Sequence, residues 1–486
     1  MSRDRSESPF HGPPSFETID ASDPADFLAS MAPTQQGFLL ESGFDVRGTG
    51  RWHICGVDPI GSFEATDDRW YSRQTGLPAR EGRGDPLAAL DDWWRSWAMP
   101  VATPSHAGPF VGGAIGWIGY EAADRFHGLP RRSLPDGPVS RFLDGIPDLC
   151  WRLYDEVVVI DALEGRAWFI HHGRDGWQQR RWWFDPERSA PLSAVRSAAG
   201  SRIIDASLDD GQYLDAVSQI RGSIGRGDVY EVNLALGMIL DAVPSARDLH
   251  AIWRQVQPVP YAAMIQGDPF SLVSASPEQF LTRRGDQIGT RPIKGTVPRC
   301  GDPAQDQMAA QRLLEDPKER AELAMIVDLE RNDLGRICVP GSVEVVAAAE
   351  VEEYASVMHT VATVKGTLRG NPGPGEILRA TFPGGSITGA PKLAAMEQIR
   401  QLEPWPRSVY TGSIGWLAPS GDMELNIAIR TALIRGQRAL VPFGGAVTWD
   451  SDPDAERDEL AHKARTLLAA LGIDAVEMGE TRDLAD

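Results

Sequence analysis

Strand-like segments recur along this chain without a helix after each one, which argues against a doubly wound parallel sheet, since that fold needs regular strand and helix alternation. Short runs rich in β-branched and aromatic residues occupy 37–42, 52–57, 110–120, 151–160 and, beyond a Glu164-Gly165 turn, 167–171. The same signature returns at 229–235, 271–278, 343–346, 358–367, 409–417, 425–434 and 439–447. Helical spacing marks 86–97, 210–225, 304–331 with a break at Pro317, and 455–471. The pattern predicts an α+β fold of mostly antiparallel strands.

With 486 residues the chain has room for two or three domains or one large intertwined one. Ser, Pro, Asp and Gly dominate 1–25, read as a mobile tail. A Ser/Ala/Pro/Arg stretch at 185–209 is read as a linker between subdomains 26–184 and 210–472, followed by a tail at 473–486. Most of the 15 tryptophans lie in the first half, where they are expected to fill a wide sheet core. No apolar run approaches the ~20 residues that cross a bilayer, and residues 1–14 lack the apolar stretch of a secretory signal, so a cytoplasmic protein away from membranes is expected. A net charge of −20 argues against nucleic acid or an anionic membrane as partner, so an acidic substrate would need local cations or a metal. The four cysteines, Cys55, Cys150, Cys300 and Cys338, have neither zinc spacing nor disulfide clustering.

Three kinds of chemistry are legible locally. In Arg291-Pro292-Ile293-Lys294-Gly295-Thr296 a lysine stands between a residue that fixes φ and one that permits close backbone approach, so its side chain is aimed, on backbone expected to be neither helix nor regular strand. To act as a nucleophile it would need a lowered pKa; a lone Lys in such a turn is otherwise a solvated loop residue. Glu319/Glu322 and Glu456/Glu459 each sit three apart on a helix, which puts both carboxylates on one face; brought together they could hold Mg²⁺, although this spacing also suits a plain solvated face. The Gly/Ser/Thr loop from Phe382 to Lys392 and the Phe443-Gly444-Gly445-Ala446 turn offer backbone N–H groups to a carboxylate. Arg430, read as ending a strand, and Lys463 are candidate cations for a diacid, and His359 suits either a core or a catalytic role.

Together the motifs resemble component I of the chorismate-utilising enzymes, the family of anthranilate synthase and aminodeoxychorismate synthase, over about residues 27–471. The residues that carry the resemblance are SASPE at 274–278, PIKGT at 292–296, IVDLERNDLGR at 326–336, 357–359, FPGGSITGAPK at 382–392, 426–430 and 450–463. The resemblance implies large antiparallel sheets packed together with helices outside. It implies Glu278 as general acid, Lys294 as nucleophile, and Glu322 and Glu459 as Mg²⁺ ligands, with Glu319 and Glu456 acting directly or through water. Tyr410, Arg430, Gly444, Gly445 and Lys463 match chorismate-binding positions, with Gly295, Thr296, Thr388 and Gly389 grouped with them, and His359 and Ser386 line the site. Leu40, Glu41 and Ser42 match an element lining a tryptophan pocket. A third glycine is common where this chain has Ala446, whose methyl would hinder a substrate carboxylate if that backbone had positive φ.

Within the family the lysine at 294, where anthranilate synthases carry alanine, is similar to aminodeoxychorismate synthase. Isochorismate and salicylate synthases carry lysine where this chain has Glu231. The implied reaction replaces the C4 hydroxyl of chorismate with ammonia, on the way to p-aminobenzoate and folate. No nucleophile-elbow cysteine with a His-x-Glu is present, so ammonia is expected from a separate glutamine amidotransferase subunit. The alternatives are anthranilate synthase component I and a tryptophan-binding subunit without catalysis.

Overall fold

The computed structural model describes residues 9–473 apart from 11, 21–22, 25–26, 28–30, 33, 44–50, 102–107, 131, 133–136, 175, 177, 179–199 and 355–356. Among these residues the strands form two twelve-stranded sheets. The first runs Ser15–Ile19, Arg166–His171, Glu156–Asp161, Trp52–Val57, Gly37–Glu41, Tyr261–Gln266, Ser271–Ser276, Thr431–Arg435, Arg438–Val447, Glu231–Asp241, Arg202–Ala206, with Gly389–Ala390 paired to Glu231–Asp241. The second runs Ile293–Pro298, Val357–Thr367, Gln287–Arg291, Gln279–Arg284, Met423–Asn426, Ser413–Leu417, Gly113–Ile118, Leu149–Tyr154, Gly61–Thr66, Arg69–Gln74, Arg80–Arg83, with Glu344–Glu353 on Val357–Thr367. The ladders are antiparallel, as the absence of strict strand and helix alternation requires.

The expected helices form where capping supports them. Pro86–Trp97 starts at Asp85, whose side chain accepts from the Leu87 N–H, and it buries Leu87, Leu90, Trp93, Trp94 and Trp97. Asp210–Arg226 has a reciprocal capping box between Asp209 and Gln212 and stops at Gly227, φ 80°. The expected break at Pro317 separates Pro303–Glu315 from Pro317–Gly335, with the Asp316 carboxylate capping the second helix through the Lys318 and Glu319 N–H groups. Pro453–Ala469 is capped by Asp452. Trp93, Trp97, Trp151 and Trp253 belong to one buried core, and Trp117, Trp405 and Trp416 to another. None of the helices among the described residues is long and apolar enough to cross a membrane.

Several expectations are corrected. Within the supposed 1–25 tail, Ser15–Ile19 pairs along Arg166–His171 and Phe10 is buried. Within the supposed linker, Arg202–Ala206 pairs with Glu231–Asp241; 185–199 lies outside the described residues, as does 474–486 of the C-terminal tail. The subdomain division fails in space, because Gly37–Glu41 pairs with Tyr261–Gln266 in the first sheet and Gly113–Ile118 with Ser413–Leu417 in the second. Two segments read as single strands each cross between sheets: the 151–160 segment leaves the second sheet after Tyr154 and enters the first at Glu156, and the 425–434 segment leaves the second after Asn426 and enters the first at Thr431. Of the 409–417 segment only Ser413–Leu417 is strand, the preceding residues forming a turn.

Candidate active site

Lys294 lies on an irregular strand, in keeping with the expectation of backbone that is neither helix nor regular strand. Ile293–Pro298 pairs with Val357–Thr367 at Lys294↔Thr360 and Thr296↔His359, and the register shifts between them because Gly295 turns to φ 62°. A bulge of this kind re-aims a neighbouring side chain. A Cβ at Gly295 would lie 2.9 Å from Glu319 Oε2, so the bulge packs directly on the first acidic helix.

The Lys294 ammonium crosses from one sheet to the other. Its Nζ is 2.6 Å from Oε1 of Glu231, the first residue of Glu231–Asp241, and 4.0 Å from Oε2 of Glu322. Burial alone would push the lysine pKa down, but the carboxylates of Glu231, Glu322 and Glu278 outweigh it and hold the amine above its ordinary value. The expectation of an uncharged amine is therefore corrected: in this arrangement Lys294 is protonated. Glu231, noted from the sequence only as a position that separates branches, is its ion-pair partner.

Glu278 follows Ser271–Ser276 and is buried. Its Oε1 accepts from Ser386 Oγ at 2.6 Å and from the Ile293 N–H at 3.4 Å. Burial pushes its pKa up to about 7 against the opposing effects of Ser386, Lys294 and Arg430, so a proton is available near neutrality. Ser386 is thus placed as expected. Thr388 and Gly389, from the same loop, have their donors engaged within the loop. The Thr388 hydroxyl donates to Gly384 O at 2.8 Å, and the N–H groups of both residues go to Gly385 O. Gly389, φ 131°, lies so close to Glu231 that a Cβ would stand 2.0 Å from its carbonyl oxygen.

The two acidic pairs face one region. Glu319 is pushed up by burial, with Glu459 among the charges that add to this. Glu459 would rise on burial, but Lys463, Lys318 and Lys294 outweigh this and lower it. Burial raises Glu322 to about 7 and also raises Glu456, whose Oε1 accepts from Ser451 Oγ at 2.5 Å. Among the described residues no three acidic, His or Cys side chains are close enough to cage a metal by themselves. The donor set still fits Mg²⁺: it is all oxygen, three of its carboxylates are held above their usual range, and that ion commonly takes one or two carboxylates and completes its shell with water and anionic substrate oxygens.

Two cations, Arg430 and Lys463, both act electrostatically on His359. Arg430 lies between strands at φ 51°, which corrects its placement at a strand end. It is half-buried and has no carboxylate partner among the described residues, and burial lowers it to about 10, still charged at neutral pH. Lys463 Nζ pairs with Glu459 Oε1 at 2.7 Å and reaches Gly444 O at 3.5 Å. A Cβ at Gly445 would lie 3.6 Å from both Lys463 Nζ and Glu456 Oε2, and one at Gly444 would lie 2.9 Å from the Tyr410 hydroxyl. Ala446 sits in regular ladder opposite Asn233 without positive φ, so its methyl brings no strain. His359 is buried, its Nδ1 3.0 Å from Thr296 Oγ1 and 3.1 Å from Gly295 O; burial and then Arg430 push it down to about 3, and its neutral Nε2 has no partner.

Leu40, Glu41 and Ser42 line a separate cavity with Trp52, Pro260 and Trp416. Ser42 Oγ donates to Pro260 O at 2.9 Å, while Glu41 meets His250 Nε2 at 2.9 Å and Arg254 at 2.7 Å. Sequence reasoning missed the brace under the site: buried Arg407 makes two bonds to Glu403, at 2.8 and 2.6 Å, and donates to Asn233 O and Ile387 O. Its only sequence signal is an (i, i+4) pair, which is too common to single out.

The profile of the family described as chorismate binding enzyme matches residues 43–469. The aminodeoxychorismate synthase component 1 of Bacillus subtilis is 34% identical over 448 residues, 90% of this chain and 92% of that protein. The anthranilate synthase component 1 of Thermus thermophilus is 35% identical over 457 residues, 93% of this chain and 94% of that one. The crystal structure of anthranilate synthase component I from Streptococcus pneumoniae superposes with a TM-score of 0.74 at 27% identity, covering 87% of this chain and 93% of the other.

Proposed function

The chain belongs to the chorismate binding enzyme family, and from that premise we propose that it aminates chorismate at C4 to 4-amino-4-deoxychorismate, as an aminodeoxychorismate synthase component I on the route to p-aminobenzoate and folate. The observation that carries this reading is a largely enclosed lysine, Lys294, its side chain 9% exposed, near a buried carboxyl, Glu278, that keeps a proton near neutrality.

Arg430 and Lys463 bind the two carboxylates of the substrate, with Tyr410 and the Gly444-Gly445 backbone shaping the pocket around it. Glu278 gives its proton to the departing C4 hydroxyl, which leaves as water. Lys294 passes its proton to Glu231, the carboxylate 2.6 Å from its Nζ, and the free amine forms a bond from Nζ to C2 as the ring double bonds shift and the C4–O bond breaks. Ammonia then adds at C4, the C2–N bond breaks, and the enolpyruvyl group stays in place. Glu319, Glu322, Glu456 and Glu459 would hold Mg²⁺, which when bound acts as a Lewis acid on the ring carboxylate. Ammonia comes from a glutamine amidotransferase subunit, in keeping with the component 1 names of the relatives.

A second reading, anthranilate synthase, is favoured by the cavity at Leu40, Glu41 and Ser42, the element that the family resemblance links to a tryptophan pocket. Products separate the two. With chorismate, Mg²⁺ and ammonium, the chain is expected to yield aminodeoxychorismate by mass with no pyruvate; anthranilate with equimolar pyruvate would replace the first reading with the second.

A further inference from the structure

The IVDLERNDLGR segment carries much of the family resemblance, yet nothing in the reaction uses it. It is the C-terminal part of Pro317–Gly335, the helix whose first turns bear Glu319 and Glu322. Asp333, on that segment, is buried, and its Oδ2 lies 2.5 Å from Nζ of Lys392, which is equally buried. Lys392 Nζ also donates to Thr381 O at 2.9 Å and Pro383 O at 2.7 Å, so one ammonium gathers the carboxylate and both sides of the loop's entry. A lysine donates three hydrogen bonds, and all three are used here. Between Pro383 and Lys392 the loop delivers Ser386, whose hydroxyl stands 2.6 Å from Glu278. Two further contacts bind the helix to this region: Glu330 accepts from Thr290 Oγ1 at 2.6 Å, and a Cβ at Gly385 would come 2.8 Å from Leu329 Cδ2.

We propose that the buried Asp333–Lys392 pair positions the general acid: it hangs the Ser386 loop on the helix that bears Glu319 and Glu322, and so sets the hydroxyl that orients Glu278. Neither residue touches substrate, and both are positioning residues. The proposal rests on the reading that Glu278 protonates the leaving group, and is indifferent to whether amination or aromatisation follows.

The test is a double-mutant cycle between Lys392 and Ser386, two residues whose side chains do not meet, read as chorismate consumption. Lys392→Met is expected to lower kcat by roughly 10–100-fold, as loss of an orienting partner does, with KM for chorismate changed by less than about 3-fold. Adding Ser386→Ala to Lys392→Met should lower kcat little further, because both act on Glu278. If Lys392→Met fails to fold, Asp333→Asn, which keeps the shape, takes its place. A direct readout accompanies the cycle and does not depend on turnover: the Glu278 carboxyl band in the infrared, isolated by subtracting Glu278→Gln, followed against pH. Ser386 favours the charged carboxylate, so in Lys392→Met or Asp333→Asn the midpoint should rise above that of the unaltered chain. Independent, multiplying effects on kcat, or an unmoved Glu278 midpoint, would overturn the proposal. Anthranilate as product would overturn the proposed reaction and leave this one standing.

Discussion

Burial pushes the Glu278 carboxyl up to about 7, so it exchanges its proton within the physiological range. The proposed reaction needs the protonated form, so kcat at saturating ammonia should fall as pH rises through about 7. Glu278→Gln, which cannot donate a proton to the leaving hydroxyl, should lose roughly 10²–10⁴-fold in rate; a flat profile through that range would deny Glu278 its role. A second buried acid gives a stability signature. Glu330 is pushed up to about 8 from an ordinary 4.5, chiefly by burial, so between those values the folded chain holds a proton that the unfolded chain has lost. Stability contributed by the neutral acid is therefore complete at low pH and lost as pH rises through that window. Glu330→Gln should raise Tm by roughly 1–4 °C at pH 8 and leave it unchanged near pH 4.5, measured by calorimetry. The sequence disclosed that Lys294 is aimed. Its charge was hidden because Glu231, 63 residues away, is brought to it only by the fold. Arg430 gave no warning of its φ of 51°, since arginine has no preference for that conformation.

Helices were legible where periodicity and a cap agree, as at Pro86–Trp97 with Asp85, or where proline leaves no choice, as at Pro317. The 425–434 segment misled because alternation continues while the chain changes sheets, and propensity carries no information about which sheet a strand joins. The FPGGSITGAPK loop was read as an anion cradle, but part of it serves to let backbones meet. Gly389→Ala would force a Cβ to within 2.0 Å of Glu231 O at φ 131°, and should cost more than about 2 kcal/mol in urea unfolding. Gly436→Ala, at φ 62° with nothing near its Cβ, should cost only the left-handed strain of about 1–2 kcal/mol. Equal costs at the two positions would mean that the close approach at Gly389 does not bear on stability.

The composition shift at 185–209 suggested two units, and composition was silent on the strand pairing that joins them. Both sheets take strands from either side of that stretch, so each half alone would expose unpaired edges and the apolar faces of Leu39 and Met264, which stand opposite each other in the first sheet. A fragment of residues 1–184 should accordingly lack a cooperative thermal transition by circular dichroism; a sharp melt would restore the two-unit picture. The intertwining also explains the site. Lys294 comes from the second sheet and Glu231 from the first, and the acidic helices close over the seam between them. The central claim, that this seam exists to let Lys294 bond to chorismate, is tested most directly by the intact mass of the chain with chorismate and Mg²⁺ and no ammonia. The account predicts a species heavier by chorismate less one water, mapped to Lys294 and absent in Lys294→Ala. An unmodified Lys294 in a chain that turns chorismate into anthranilate and pyruvate once ammonium is added would contradict it.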